Sequence, residues 1–321
     1  MRIAFAGTPE VAVPVLSALV RAGHEVAFVI TRPDAPAGRG RTLTESPVAI
    51  AATELGLDVY KTTDLFSVQT QLQTVDCVIV VAFGAMIPTE LLDTPKHGWI
   101  NLHFSLLPQW RGAAPVQHAI KAGDDVTGVT AFRIDSGLDT GPILSSLATD
   151  IRPAETAGEL LSRLATEGAG LIVATLASLE AGDLVPVAQP IEGISTAPKI
   201  STADARINWQ SPALAISRLI RAVTPAPGAW TEIGEQRIKI GPVQLVTEVA
   251  DLSPGQIELR AGKILVGTGS HAIALETVQQ AGRNQVAASQ WFANIGAATA
   301  DANATEEAER NSDSSTGLQF S

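Results

Sequence analysis

Apolar runs alternate with helix-like segments along the first half of the chain. Four of these runs have the length and hydrophobicity of buried strands, at 3–6, 26–30, 77–81 and 99–102. The segments between them carry apolar residues at helical spacing. Because strands that alternate with helices form parallel sheets, this order predicts an α/β fold with a Rossmann-like, mostly parallel sheet.

Local signals place some of the helices. The Ser46-Pro47 pair is typical of an N-cap followed by proline in the first turn. Leucine and isoleucine recur at helical spacing over 156–181, which predicts a long helix that ends at Gly182. Pro14 marks either the start of the first helix or a kink within it, and the pattern leaves that choice open.

The pattern changes after residue 185. Periodicity fades up to residue 208, where prolines stand among short polar residues, as in a linker between domains. A short helix at 214–222 is then followed by strand-like runs with turns, which predict a small β-barrel or sandwich. The runs lie at 230–233, 236–240, 243–247, 256–259, 263–266 and 272–278.

These changes predict four segments. An α/β domain occupies 1–189, a linker 190–207 and a β domain 208–296. Residues 297–321 are rich in Ala, Glu, Asn and Ser and offer little apolar surface, so a disordered acidic tail is expected there.

Composition restricts the function classes. Hydrophobic residues make up 45% of the chain, but no run approaches the roughly 18 apolar residues that cross a bilayer. We expect a cytoplasmic protein without a membrane segment or a leader peptide. The single cysteine, Cys77, lies in an apolar run, which favours a reducing compartment. A net charge of −11 disfavours non-specific nucleic-acid binding by the whole surface, although a local basic site remains compatible with it.

Two polar clusters carry the candidate chemistry. Asn101 and His103 stand two residues apart at the end of a predicted strand, so both side chains are expected on one face, at the strand end where parallel sheets bind ligands. The second cluster, 135–142, contains glycines that permit a tight loop holding Asp139 against a ligand. Spacing alone favours structural roles over catalytic ones: a structural histidine in the first cluster and a turn capped by aspartate in the second.

Taken together, these segments resemble the folate-dependent formyltransferase family. The resemblance rests on Asn101-x-His103, on Ser-Leu-Leu-Pro at 105–108 and on Leu-Asp-Thr-Gly at 138–141. It covers most of the chain. The arginine-rich segment at 32–41 and the segment at 5–10 are similar to the branch of that family that formylates tRNA.

The resemblance implies a formyl transfer from 10-formyltetrahydrofolate to initiator methionyl-tRNA, by a monomer that needs no metal. No metal-ligand spacing is visible in the sequence. The resemblance further implies an OB-like β-barrel as the second domain and assigns acceptor-stem contacts to Arg39 and Arg41, for which an exposed solvated loop is the structural alternative. It assigns catalysis to three residues and folate contacts to a run of four: Asn101, His103 and Asp139; and Ser105, Leu106, Leu107 and Pro108.

The sequence departs from the family pattern at two positions within this region. Phe104 and Gln109 stand where the family usually has a small and a basic residue, which puts the fine tuning of the folate cleft in doubt. The structural alternative for the whole 105–108 run is simple core packing.

The chemistry itself asks for three such groups. Formyl transfer to an amine passes through a tetrahedral intermediate whose oxyanion needs hydrogen-bond donors, and Asn101 with a protonated His103 is expected to supply them. The attacking amine must lose a proton and the folate nitrogen must gain one, for which Asp139 is the candidate. A carboxylate beside His103 is expected to raise its pKa above the usual value of about 6.5.

Two other functions stay open at this point. One is a formyltransferase acting on a small amine, such as a nucleotide sugar or a purine precursor, which would need neither the arginine loop nor the β-rich domain. The other is a non-catalytic nucleic-acid-binding protein, which is disfavoured because all three candidate catalytic residues are present. Dinucleotide binding is disfavoured because Gly7 stands alone where a G-x-G-x-x-G fingerprint is required.

Overall fold

The computed structural model describes residues 1–37, 40, 42–294 and 318–321. Contacts within the chain divide it into two compact units. The N-terminal unit comprises Met1–Val116, Asp125–Arg152 and Glu159–Lys199, and the C-terminal unit comprises Gln117–Asp124, Pro153–Gly158 and Ile200–Ser321. The change from one unit to the other near residue 200 falls inside the predicted linker.

Both units contain strands and helices. They are β1 (Arg2–Gly7), β2 (Glu25–Thr31), β3 (Ala35–Ala37), β4 (Thr42–Thr44), β5 (Val59–Lys61), β6 (Cys77–Val81), β7 (Trp99–His103), β8 (Val126–Arg133), β9 (Ile143–Asp150), β10 (Trp230–Ile233), β11 (Gln236–Ile240), β12 (Val243–Val246), β13 (Ile257–Arg260), β14 (Lys263–Val266), β15 (Ala272–Leu275), β16 (Thr277–Gln280) and β17 (Val286–Ala287). The helices are α1 (Val13–Arg21), α2 (Pro47–Glu54), α3 (Gln69–Leu72), α4 (Pro115–Ala122), α5 (Ala157–Ala181) and α6 (Ala213–Ala222).

The N-terminal unit is built on a seven-stranded sheet with the order β5-β2-β1-β6-β7-β8-β9. Strands β5, β2, β1, β6 and β7 are parallel, and β8 and β9 add an antiparallel edge. The four apolar runs of the sequence are β1, β2, β6 and β7, so the predicted α/β fold with a mostly parallel sheet is confirmed. The carboxyl ends of the parallel strands meet at one edge of this sheet, which is where such sheets bind ligands.

The helix signals of the sequence are also confirmed. The Ser46 hydroxyl accepts a hydrogen bond from the Ala49 N–H at 3.0 Å, and α2 begins directly after this cap. Pro14 occupies the second position of α1, where its missing N–H is not needed, so it marks a helix start and not a kink. Gly182, with φ of +79°, follows the last residue of α5.

Helix α5 has the length and apolar composition of a membrane-crossing helix. Its apolar side chains nevertheless pack into the protein: Leu160, Leu164 and Leu176 are fully buried. The Thr175 hydroxyl lies 2.5 Å from the hydroxyl of Ser145 on β9. Packing against the sheet therefore accounts for the apolar composition of α5.

The C-terminal unit contains two four-stranded antiparallel sheets, β10-β11-β16-β17 and β12-β15-β14-β13. Their side chains share one apolar core with residues of α6, including Ile220, Ile238, Val266 and Ile273. The predicted β-rich second domain is confirmed. The predicted strand at 272–278 is divided between β15 and β16, which belong to different sheets.

The last four residues differ from the expected disordered tail. Phe320 is 3% exposed and lies between Trp209 and Trp291, with ring centroids 5.3 Å and 5.7 Å away and near-parallel planes. The Ile257 N–H donates to the Leu318 carbonyl oxygen at 3.0 Å, and the Phe320 N–H donates to that of Gly255 at 2.9 Å.

The expectation was wrong for 318–321 because two apolar residues, Leu318 and Phe320, stand at the end of a segment whose average composition is polar. The rest of the predicted tail, 297–317, lies outside the described residues.

We expect Phe320→Ala to lower the free energy of unfolding by about 3–5 kcal/mol, because it removes a buried ring and two aromatic stacks. Urea unfolding followed by tryptophan fluorescence measures this change, since Trp209 and Trp291 report on the site directly. Phe66→Ala is the matched control, because Phe66 is 50% exposed. A loss for Phe320→Ala no larger than for the control would show that the 318–321 segment does not contribute to the core.

Candidate active site

The site begins at the carboxyl end of β7, the last parallel strand of the sheet. In this strand Asn101 pairs with Phe132 and His103 with Thr130, both on β8. Because side chains alternate along a strand, residues 101 and 103 belong to the same face of β7. His103 is 5% exposed, whereas Asn101 is half-buried.

Hydrogen bonding defines which ring nitrogen of His103 carries a proton. Nε2 lies 2.9 Å from the carbonyl oxygen of Trp110, and because a carbonyl only accepts, Nε2 must be the donor. Nδ1 lies 3.8 Å from Oδ2 of Asp139. In the neutral ring, Nδ1 therefore presents a lone pair towards the carboxylate side of the site.

Asp139 lies on the loop between β8 and β9. Its backbone has φ of +52°, in the left-handed region that non-glycine residues seldom adopt. Its Oδ2 accepts a hydrogen bond from the Gly112 N–H at 2.7 Å. The cluster at 135–142 thus places a carboxylate beside His103, although spacing alone favoured a simple turn.

The turn-capping role in this loop belongs to Asp135. Its Oδ1 accepts from the Gly137 N–H at 3.0 Å and from the Thr140 hydroxyl at 2.6 Å. A side chain at Gly141 would overlap the carbonyl oxygen of Arg133, so glycine is required where the loop crosses the end of β8. With Asp135 holding the turn, the carboxylate of Asp139 is available to His103.

A third segment, which the sequence assigned to a linker, supports this arrangement. The Trp110 N–H donates to the Ser195 hydroxyl at 2.9 Å, and the Ala197 N–H donates to the Arg111 carbonyl oxygen at 2.7 Å. Gly112 has φ of +125°, and a Cβ there would lie 2.7 Å from the Ala197 carbonyl oxygen. Sequence reasoning missed this support, because nothing in the local pattern at 195–197 pointed to it.

Burial lowers the pKa of His103 below its usual value of 6.5. The negative charge of Asp139 and the hydrogen bond to the Trp110 carbonyl both act in the opposite direction, but the loss of solvation outweighs them. The expected increase was therefore wrong. The sequence predicted the neighbouring charge of Asp139 but not the burial of the ring. With its pKa lowered, His103 is a neutral imidazole at pH 7.

The 105–108 run forms a tight turn next to this site. The Ser105 hydroxyl donates to the Gln109 carbonyl oxygen at 2.6 Å, and the Thr130 hydroxyl donates to the Ser105 carbonyl oxygen at 2.7 Å. The Leu107 N–H donates to the Thr130 hydroxyl oxygen at 3.2 Å. The side chains of Ser105, Leu107 and Pro108 are buried, and that of Leu106 is half-buried.

The predicted folate contacts of this run stay a prediction, and Leu106 is the least buried of its four residues. Of the two departures from the family pattern, Phe104 is buried and Gln109 is exposed.

Arg39 and Arg41 lie outside the described residues, so their predicted contacts with tRNA also stay a prediction. Asp34, in the same loop, is among the described residues, and its carboxylate forms an ion pair. Oδ1 of Asp34 lies 2.8 Å from Nζ of Lys61, which also bonds Glu45. The carboxylate of Asp34 is therefore paired with a lysine outside the loop.

The described residues contain no group of His, Cys, Asp and Glu side chains that could hold a metal ion. Burial raises the pKa of the Cys77 thiol to about 12, so that thiol is not a nucleophile at neutral pH.

Comparison with known proteins identifies the family. The family described as "Formyl transferase" matches residues 1–176, and the family described as "Formyl transferase, C-terminal domain" matches residues 199–296. Methionyl-tRNA formyltransferase of Streptomyces avermitilis is 51% identical over 300 residues, covering 92% of this chain and 97% of the relative. The protein of the same name from Nocardioides sp. is 53% identical over 297 residues, covering 91% and 94%.

A solved structure shares the fold. It is the N-formyltransferase from Helicobacter canadensis in complex with folinic acid and dTDP-3-aminofucose, with a TM-score of 0.65 and 20% identity over 87% of this chain and 98% of that one. At this identity the likeness establishes the fold alone. The two family matches and the close relatives confirm the resemblance seen in the sequence, and the chain therefore belongs to the formyl transferase family.

Proposed function

We propose that this chain transfers the formyl group of 10-formyltetrahydrofolate to the α-amino group of methionyl initiator tRNA, and so supports translation initiation. Relatives that carry this activity in their name are about half identical over nearly their whole length. The single observation that carries the chemistry is the convergence of Asp139 on His103, at the strand end that also bears Asn101.

The first step is attack of the free amine on the formyl carbon. A bond forms between the amine nitrogen and that carbon, and the electrons of the carbonyl bond move to the oxygen. The Asn101 amide N–H stabilises the resulting oxyanion. The amine attacks the formyl carbon directly, so the reaction needs no covalent intermediate with the enzyme and no nucleophilic side chain.

The second step moves a proton. The attacking nitrogen becomes positively charged, and Nδ1 of neutral His103 accepts its proton. Asp139, 3.8 Å away, stabilises the imidazolium that forms, while Nε2 keeps its bond to the Trp110 carbonyl. The electron pair of the oxyanion then re-forms the carbonyl, the bond between the formyl carbon and the folate nitrogen breaks, and that nitrogen takes up the proton from Nδ1 of His103. In this proposal His103 starts as a proton acceptor and not as the protonated donor expected from the sequence, and it takes the proton-transfer role for which the sequence analysis named Asp139.

The two domains divide the substrates between them. The α/β domain over 1–189 binds formyl-folate through 105–108 and carries out the transfer. The β domain over 208–296 contacts tRNA together with Arg39 and Arg41, whose guanidinium groups suit phosphate or base edges. The enzyme works as a monomer in the cytoplasm and requires no metal.

The experiment that tests this function offers the protein 10-formyltetrahydrofolate with either charged initiator tRNA or free small amines, and follows the absorbance of the folate. Turnover with charged tRNA and none with the small amines is expected. Turnover with an amino sugar nucleotide or a purine precursor would instead support a small acceptor. Binding of tRNA without turnover on any acceptor would identify a non-catalytic nucleic-acid-binding protein.

Removal of the three site groups should abolish most of the transfer. We expect His103→Ala and Asp139→Asn to lower kcat by about 10²–10⁴-fold, the first through loss of the proton acceptor and the second through loss of the charge that stabilises the imidazolium. Asn101→Ala should lower it by about 10²–10³-fold through loss of an oxyanion donor. His97→Ala is the matched control, since His97 precedes β7 at the opposite end of the strand. Unchanged turnover in any of the three, with the fold verified by circular dichroism, would remove that residue from the mechanism.

The pH dependence should report the low pKa of His103. The logarithm of kcat/KM should fall with unit slope below the pKa of the acceptor amine, because that amine must be neutral to attack. The slope should increase again only below pH 6.5, where His103 itself becomes protonated. Asp139→Asn removes a charge that raises this pKa, so the second break should move to lower pH. A second break above pH 6.5 in the unmodified enzyme would contradict a neutral His103.

The arginine loop should affect tRNA and not folate. We expect Arg39→Ala and Arg41→Ala to raise KM for charged tRNA, and each to reduce the slope of log affinity against log salt by about 1. KM for 10-formyltetrahydrofolate should not change. Arg21→Ala, at the exposed end of α1, is the control. Equal effects on KM for both substrates would argue against a tRNA-specific role.

A further inference from the structure

We propose that Gln189 is a positioning residue for formyl transfer, because its amide holds the loop that carries Asp139 and the loop that carries Gly112 in one arrangement. This inference rests on the proposed function for its meaning, since it assigns to Gln189 the task of keeping Asp139 beside His103. The residue itself makes no contact with the reacting groups in this proposal.

The hydrogen bonds of Gln189 use its whole side-chain amide. Nε2 donates to the carbonyl oxygens of Asp139 and Gly141, both at 2.8 Å. Oε1 accepts from the guanidinium of Arg111, at 2.6 Å from Nη2 and 3.1 Å from Nε. Both N–H groups and the oxygen are therefore engaged, and this one side chain joins two loops that lie far apart in sequence.

The two loops are the ones that determine where the Asp139 carboxylate lies. Gln189 holds the backbone of Asp139 directly. It also holds Arg111, the residue before Gly112, whose N–H donates to Oδ2 of Asp139 at 2.7 Å. The Gln189 amide therefore holds the Asp139 backbone directly, and it holds the Asp139 carboxylate indirectly, through Arg111 and the adjoining Gly112.

The backbone of Asp139 needs such a restraint. With φ of +52° it occupies a conformation that an L-residue keeps only when the surrounding contacts enforce it. Two donors aimed at the carbonyl oxygens of residues 139 and 141 are contacts of that kind. Without them the loop is free to relax, and the carboxylate moves away from Nδ1 of His103.

The chain segment that carries Gln189 is hydrogen-bonded to the edge of the sheet. Two residues earlier, Val187 pairs with Ile143 of β9 through two backbone hydrogen bonds, at 2.7 Å and 2.8 Å. The segment therefore extends the sheet edge next to the Asp139 loop before it reaches the amide. A side chain supported in this way can fix a catalytic group, which a mobile segment cannot.

The kinetic test compares Gln189→Ala and Gln189→Glu with Gln73→Ala, an exposed glutamine after α3, as control. Glutamate keeps an acceptor for Arg111 but cannot donate to the two carbonyl oxygens. We expect both Gln189 variants to lose about 10²-fold in kcat, because a displacement near 1 Å costs about that much, with KM for 10-formyltetrahydrofolate unchanged. The second break of the pH profile should move to lower pH, as Asp139 no longer supports the charge on His103. Full turnover in Gln189→Glu, or a loss of kcat without any movement of the break, would overturn the assignment.

A second measurement does not depend on activity. Amide hydrogen exchange in 135–142 and 110–114 should become faster in Gln189→Ala, while exchange in β14 of the C-terminal unit stays as in the unmodified protein. If the unmodified protein does not formylate charged tRNA, the proposed function fails and the exchange result still tests the role of Gln189. Unchanged exchange in both loops would overturn the positioning role whatever the activity.

Discussion

The hydrogen bond from Nε2 of His103 to the Trp110 carbonyl oxygen determines what the ring can do. It fixes one proton on the nitrogen that faces the protein, so every proton that moves during the reaction must use Nδ1. Burial keeps the ring neutral at pH 7, and Asp139 stands 3.8 Å from Nδ1 to support the charge once a proton arrives. Without that hydrogen bond the proton of the neutral ring would no longer be restricted to Nε2.

The position of the ring depends in turn on backbone conformations that few residues tolerate. Gly112 and Gly141 stand where a side chain would collide with a neighbouring carbonyl oxygen, and Asp139 adopts a left-handed conformation. A third segment restrains these loops, because Gln189 donates to the Asp139 carbonyl oxygen and the Ser195 hydroxyl accepts from the Trp110 N–H. The site is therefore built from three chain segments whose backbones approach closely, and the polar groups at its centre are placed by that approach.

The sequence reports the parts of this structure that depend on neighbours along the chain. Apolar runs predicted β1, β2, β6 and β7, and Ser46 predicted the start of α2, because burial and capping leave local patterns. The resemblance to the family predicted the membership that the comparisons confirm. Gln189 left no local signal, since its partners lie 50 and 78 positions away. The direction of the His103 pKa shift was missed for a related reason: it depends on burial as well as on charge.

The most direct test of the central claim is the ¹⁵N NMR spectrum of the His103 ring as a function of pH, in protein labelled at histidine and compared with His103→Ala for assignment. A neutral ring at pH 7 with its proton on Nε2, and with a pKa below 6.5, is the predicted result. A proton on Nδ1 of the neutral ring, or a pKa above 6.5, would contradict the account of how this site moves protons.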